Sequence, residues 1–242
     1  MMTDAIRWTQ QGAVAAITID RAQDGNLLTI AMLRDLAAAF REAGRSDAKV
    51  ITLRTAGSDF CLGRGAPPPG GPPPSALQMR TAVLEPILDA YDAMAGTPQP
   101  IVCSVQGPAK GFGCALATAC DITIASDAAR FCLPELEKNL PPTLAISAMM
   151  TKVPQKALTF MVYTMGEIDA RTALRLGIVS EVTAPAGLIA RSDEVVAALC
   201  TRAREALIGV KDYFRAAPGL PARSAADLAG NMLATILSSI RA

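Results

Sequence analysis

Histidine is absent from the 242 residues. Its absence excludes Ser-His and Cys-His nucleophile pairs, imidazole metal ligands and an imidazole general base. Any proton chemistry then falls to carboxylate, Lys, Tyr, Cys or water. Charge of one sign is also lacking: 23 Lys+Arg against 22 Asp+Glu leave +1, so no global field marks a binder of nucleic acid or of an anionic membrane. No uncharged apolar run approaches the ~20 residues that span a bilayer. The mean hydropathy of +0.30 is therefore assigned to a core and to subunit contacts. The six cysteines (61, 103, 114, 120, 132 and 200) form no C-x-x-C and lack the spacing of a disulfide scaffold, which points to buried thiols in a reducing compartment. The start, Met1-Met2-Thr3-Asp4, has the character of neither a signal peptide nor a transit peptide, and a cytoplasmic protein is expected. No P-loop, Rossmann fingerprint or zinc-ligand spacing occurs, and no metal or separate cofactor is expected.

What is present suits one α/β domain with a helical appendage, long enough to bury ~75% of its unfolded surface. Residues 6–10 and 14–19, around Gln11-Gly12, read as a β-hairpin. Thr29 caps a helix running to Ser46, with Ile30, Leu33, Leu36, Ala37 and Phe40 at helical spacing. A strand is expected over 50–54. The run PPPGGPPP at 67–74 forbids helix and favours extended backbone. It is either an ordinary solvent loop or the border of a pocket. Residues 76–96 resume a helix whose apolar stripe (Met79, Val83, Ile87, Leu88, Tyr91, Met94) reads as core. Helices follow at 144–150 and 156–165, and the chain is helical from 187 onward with a break near Pro218–Pro221.

The stretch 101–142 organises the rest. A β-branched buried strand (101–105) leads to a turn punctuated by Gly107-Pro108 and Gly111-Phe112-Gly113, then to the small apolar helix 114–120. The exposed N–H groups at such a helix start can hold an oxygen on which negative charge develops. A second short strand begins at Asp121. Arg130-Phe131-Cys132-Leu133 then precedes Pro134-Glu135, a carboxylate in a largely apolar neighbourhood.

These residues resemble the crotonase superfamily, the enoyl-CoA hydratases and isomerases. The pattern stands as Gly107-Pro108-Ala109-Lys110-Gly111-Phe112-Gly113, Cys120-Asp121-Ile122, Phe131, Pro134-Glu135 and Pro141-Pro142. Asp20-Arg21 with Asn26-Leu27-Leu28 is similar to a CoA-contacting loop, although alone it is an ordinary strand-to-helix connection. The run 57–66, containing Phe60-Cys61-Leu62-Gly63-Arg64-Gly65-Ala66, resembles the first half of the family's oxyanion hole. Residues 169–179 are similar to the family's helix-stop signature at Gly177.

The resemblance implies an α/β fold, a crotonase-type ββα spiral over 1–185 with a C-terminal helical trimerisation region over 186–242, assembled as a homotrimer or a dimer of trimers. It implies an acyl-CoA thioester substrate, coenzyme A entering only as part of it. The backbone N–H groups of Arg64 and Phe112 would stabilise the enolate oxygen, and Glu135 would be the catalytic acid/base. Arg21, Leu27, Leu62, Gly63, Arg64, Gly65, Ala66 and Phe112 would border the CoA thioester. Lys211 and Arg215, one turn apart, fit either CoA-phosphate contacts or a solvated helix face.

The chain departs from the pattern at three places. Phe112 stands where the family usually has Gly, and Gly65 where it has Asp, which is expected to loosen that loop. Ala115 occupies the position of the first catalytic Glu. With one acid left, Glu135 suits shuttling a proton between two carbons, a double-bond isomerisation, or a slow hydration. Glu137 does not replace the lost acid, since a helix puts it nearly opposite Glu135. The alternative is a catalytically impaired CoA-thioester binding or oligomerisation subunit.

Overall fold

The computed structural model describes residues 4–65 and 74–240. Ala66 and nearly all of the proline-rich run lie outside them. The chain opens with the expected hairpin, β1 (Ile6–Gln11) antiparallel to β2 (Val14–Ile19). Helix α1 (Ile30–Arg45) begins where Thr29 Oγ1 accepts from the Met32 N–H, and buries Leu33, Leu36, Ala37 and Phe40. After β3 (Val50–Thr55) comes a single α turn, α2 (Ala76–Gln78), capped by Ser75. It passes through a π-helical stretch, Met79–Leu84, into α3 (Glu85–Gly96).

The continuous helix expected over 76–96 is therefore interrupted. Pro86 cannot donate a hydrogen bond back along the helix, and the Glu85 N–H reaches five residues back, to Arg80 O, the signature of a π turn. The stripe splits at the same point, with Ile87, Tyr91 and Met94 buried and Met79 exposed.

Beyond β4 (Ile101–Val105) lie the two-residue β5 (Ala109–Lys110), α4 (Phe112–Ala119), β6 (Ile122–Ser126) and β7 (Arg130–Cys132). A 3₁₀ turn, Glu135–Lys138, leads to α5 (Thr143–Met149) and α6 (Gln155–Thr164). Then come β8 (Ile168–Asp169), α7 (Ala170–Arg175) and β9 (Glu181–Thr183). Helices α8 (Leu188–Cys200), α9 (Arg204–Ala216) and α10 (Ala222–Ile240) complete the chain.

Six strands form one sheet in the order β1-β2-β3-β4-β6-β9, parallel from β2 onward, while β5, β7 and β8 form a second, smaller sheet. Because successive side chains alternate faces, Ile51, Leu53, Ile101, Cys103 and Val105 enter the main core with α1 and α3. Val50 and Val102 point the other way and meet Val196 of α8. Ser104 on that second face donates to Ser192 Oγ of α8 at 2.9 Å. Helix α8 lies beyond residue 185 and yet packs on the sheet, whereas α9 and α10 pack mainly on each other. Among the described residues no helix is long and apolar enough to cross a membrane.

Candidate active site

In parallel α/β sheets, ligands bind beyond the carboxyl ends of the strands. Beyond β3 and β4 three segments converge there. The first is 21–28. Asn26, fully buried at φ +54°, accepts from the Arg21 N–H through Oδ1 and donates through Nδ2 to Ala56 O and Asp59 O, both at 2.8 Å. It binds this loop to the next one. Arg21 is held by Asp24 at 2.7 Å and donates to Leu27 O.

The second segment, 57–65, runs as an irregular strand between 25–28 and β5. Cys61 N–H donates to Pro108 O and Cys61 O accepts from Lys110 N–H on one side. On the other side Leu62 N–H donates to Gly25 O, Leu28 N–H donates to Gly63 O and Gly65 N–H donates to Leu28 O. Gly65, expected to loosen this loop, is thus pinned to Leu28 at 3.0 Å. A trans peptide sets its C=O and N–H antiparallel. Since Gly63 O is engaged with Leu28, the Arg64 N–H points away from Leu28, to the side on which Cys61 pairs with β5.

The third segment is the turn into α4. That helix begins at Phe112, two residues earlier than the sequence suggests, with Gly111 as its N-cap at φ +53°, ψ −115°. Gly111 O accepts from the Ala115 N–H at 3.1 Å and so points along the helix. By the same peptide geometry the Phe112 N–H points out of the helix start, among the donors that have no intrahelical acceptor. Gly113 is pressed against the second segment, where a β-carbon on it would lie 2.1 Å from Cys61 O.

Glu135 reaches this helix start from the 3₁₀ turn. Its carboxylate lies so near Gly111 that a β-carbon there would be 2.7 Å from Oε1. Oε2 is buried and has no hydrogen-bond partner. Burial pushes the Glu135 pKa above its usual range, against the opposing pull of its own backbone N–H and the Arg64 charge. Glu137 is exposed and follows in a 3₁₀ turn, so about 120° separates the two side chains where an α-helix would set them nearly opposite.

The walls are apolar. Phe112 stacks on Tyr91 with centroids 5.4 Å apart and planes inclined by 19°, and Ala115 is fully buried. Tyr91 reads from the sequence as one member of a core stripe. Its place beside Phe112 follows from the packing of α3 against α4, which no local pattern encodes. The nearby thiols are poor nucleophiles, with burial pushing Cys61 up to about 12 and Cys132 up to about 11.

Lys211 belongs elsewhere, and both sequence alternatives for it are corrected. Its side chain is only 10% exposed; Nζ lies 2.8 Å from Asp121 Oδ2 and donates to Met94 O, Thr97 Oγ1 and Gln99 O. Asp121 also accepts from the N–H of Ile101, the first residue of β4, so Lys211 serves the opposite end of the strands. Arg215 pairs with Asp212 and donates to Ala95 O.

A family model described as enoyl-CoA hydratase/isomerase matches residues 9–239. A Rhizobium meliloti protein named "Probable enoyl-CoA hydratase" is 33% identical over 180 residues, which cover 74% of this chain and 68% of that one. A Rhodobacter capsulatus protein of the same name is 30% identical, covering 75% and 69%. Among solved structures, an enoyl-CoA hydratase of Mycobacterium smegmatis superposes with a TM-score of 0.90 at 26% identity, covering 96% of this chain and 91% of that one. The mixed α/β architecture with its C-terminal helices is the crotonase fold, and the chain belongs to the enoyl-CoA hydratase/isomerase family.

Proposed function

We propose that this protein moves a double bond in an enoyl-CoA thioester, or hydrates it slowly, with Glu135 as the single proton carrier. The observation that carries this reading is the Glu135 carboxylate, one oxygen buried and unpartnered, beside the N-terminus of α4. A desolvated carboxylate with a raised pKa suits proton transfer near neutral pH.

In a 3-enoyl thioester, Glu135 takes a proton from carbon 2, and the C–H electron pair moves onto the thioester oxygen. The Arg64 and Phe112 N–H groups receive that oxyanion, which preorganised backbone dipoles stabilise without reorganising. The protonated Glu135 returns the proton to carbon 4, leaving the 2-enoyl thioester. Hydration needs a second group to position water, and Ala115 offers none. Arg21, Leu27, Leu62, Gly63, Gly65 and, outside the described residues, Ala66 are assigned to the border of the CoA thioester. The apolar groove between α9 and α10, lined by Val210, Phe214, Leu233 and Ile236, supports assembly as a homotrimer or a dimer of trimers.

The buried Ala115 also favours a second reading, a CoA-thioester binding subunit without turnover. Assaying 2-enoyl- and 3-enoyl-CoA thioesters separately for hydration and double-bond shift decides between them. Turnover lost in Glu135→Gln supports the first reading. Tight binding without turnover of any substrate supports the second.

A further inference from the structure

We infer that the stacked rings of Phe112 and Tyr91 keep water from the α4 side of the bound enoyl group, and so determine that this site shifts a double bond in preference to hydrating it. The inference rests on the proposed thioester chemistry and names the side chains that set its outcome. Phe112 is the first residue of α4, and Gly111 before it lies against the Glu135 carboxylate. Helical side chains incline toward the helix N-terminus, so the Phe112 ring projects past the start of α4, toward the end that holds Glu135. Tyr91 of α3 fixes it there, with centroids 5.4 Å apart and planes inclined by 19°. Only 5% of Phe112 and 9% of Tyr91 remains exposed. Burial raises the Tyr91 phenol pKa and the Cys114 and Glu135 charges act in the same direction, in keeping with a phenol close to Glu135.

Phe112 and Ala115, three positions apart, are neighbours on one face of α4. A side chain longer than Ala at 115 would lean into the turn that carries Phe112, and Ala115 is fully buried, with no solvent side to turn to. The two positions therefore compete for one space. A ring at 112 with a methyl group at 115 leaves that space filled and apolar, and a water there would lack the two to four partners that hold one in a buried site. Hydration must add a water oxygen to carbon 3 and a proton to carbon 2. The double-bond shift takes nothing from solvent, since the proton that Glu135 removes from carbon 2 goes to carbon 4. Excluding water suppresses the first reaction and shields the carried proton from exchange.

The test follows 3-hexenoyl-CoA by NMR in deuterium oxide. With the wild-type protein the 2-hexenoyl product should keep mostly protium at carbon 4, with little 3-hydroxyacyl product. Phe112→Ala keeps the backbone donor and removes the ring. It should raise the ratio of 3-hydroxyacyl to isomerised product by about tenfold, short of the ~10²-fold or more that a positioned acid or base adds, and bring deuterium to carbon 4. Tyr91→Leu, which removes the brace, should act the same way by a smaller factor, and Tyr91→Phe, which keeps the ring, should act least. Trimming a buried ring weakens the fold, so Phe112→Leu carries the same comparison with a smaller loss of volume. A melting-temperature cycle over Phe112→Ala, Ala115→Glu and the double variant reads the shared space without turnover: Ala115→Glu should cost less Tm once the ring is gone. Additive losses overturn the inference. An unchanged product ratio with unchanged deuterium content in folded Phe112→Ala and Phe112→Leu also overturns it, as does a wild type that hydrates 2-hexenoyl-CoA faster than it shifts 3-hexenoyl-CoA. A wild type that turns over neither thioester removes the thioester reading and this inference with it, which none of the other outcomes does.

Discussion

Glu135 Oε1 occupies the space that a side chain on Gly111 would need, 2.7 Å from where its β-carbon would lie. Gly111→Ala therefore meets two obstacles. Its φ of +53° with ψ −115° strains any L side chain, at a cost of about 1–3 kcal/mol, and the carboxylate must move. A displacement near 1 Å at reacting groups costs about 100-fold in rate. We expect kcat to fall by that order while urea denaturation shows a stable, moderately weakened fold.

Glu135→Gln should lower kcat by about 10²- to 10⁴-fold, the usual contribution of general acid–base catalysis, with CoA-thioester affinity little changed in calorimetry. Unchanged turnover would remove the single-acid mechanism.

The pH dependence follows from the raised Glu135 pKa. Abstraction needs the ionised form, so kcat/KM falls as pH drops through that raised value, and this acidic limb disappears in Glu135→Gln. Stability has the opposite sense. The folded protein holds the Glu135 proton more tightly than the unfolded chain does, so this group's contribution is greatest below the unfolded pKa and is lost as pH rises through the folded one. Glu135→Gln cannot ionise, and at neutral pH its Tm should exceed that of the wild type.

Ala115→Glu restores an acid at a fully buried position. Overpacking costs about 1–3 kcal/mol, visible as a lower Tm. If the site admits water, the ratio of 3-hydroxyacyl to isomerised product, read by NMR, should rise. A ratio equal to that of the wild type would show that the missing acid does not limit hydration.

Lys211→Met should cost about 2–4 kcal/mol in urea unfolding, because it strips Asp121 and three further acceptors of one nearly buried ammonium. Affinity for CoA should stay unchanged. A selective loss of CoA binding would return Lys211 to the phosphate role that its position argues against.

Local signals carried much of the fold. Thr29 caps α1, Gly177 stands at φ +79° just after α7, and the break near Pro218–Pro221 separates α9 from α10. These features act within a few residues, where side-chain periodicity and φ preference decide the outcome. The π turn before Pro86 was legible in principle, from a proline inside an otherwise helical run. The second sheet was harder to read, since β5 and β8 have two residues each and exist through pairing with β7, which no local pattern reports. The site divides the same way. Glu135 and the Gly111-Phe112-Gly113 turn stand out by composition and spacing. Asn26 as the tie between two loops, Tyr91 as the partner of Phe112 and Lys211 at the far end of β4 depend on contacts spanning 21 to 117 positions in the chain.

The close approach of Gly113 to Cys61 O, 2.1 Å from any β-carbon placed there, bears on how such a site is to be mapped. Alanine scanning finds function by subtraction, trimming side chains and watching for loss. Here the turn at the start of α4 owes its shape to atoms that are missing, so subtraction passes over it. A scan by addition, glycine to alanine and alanine to serine along 107–115, would find its outline one methyl group at a time.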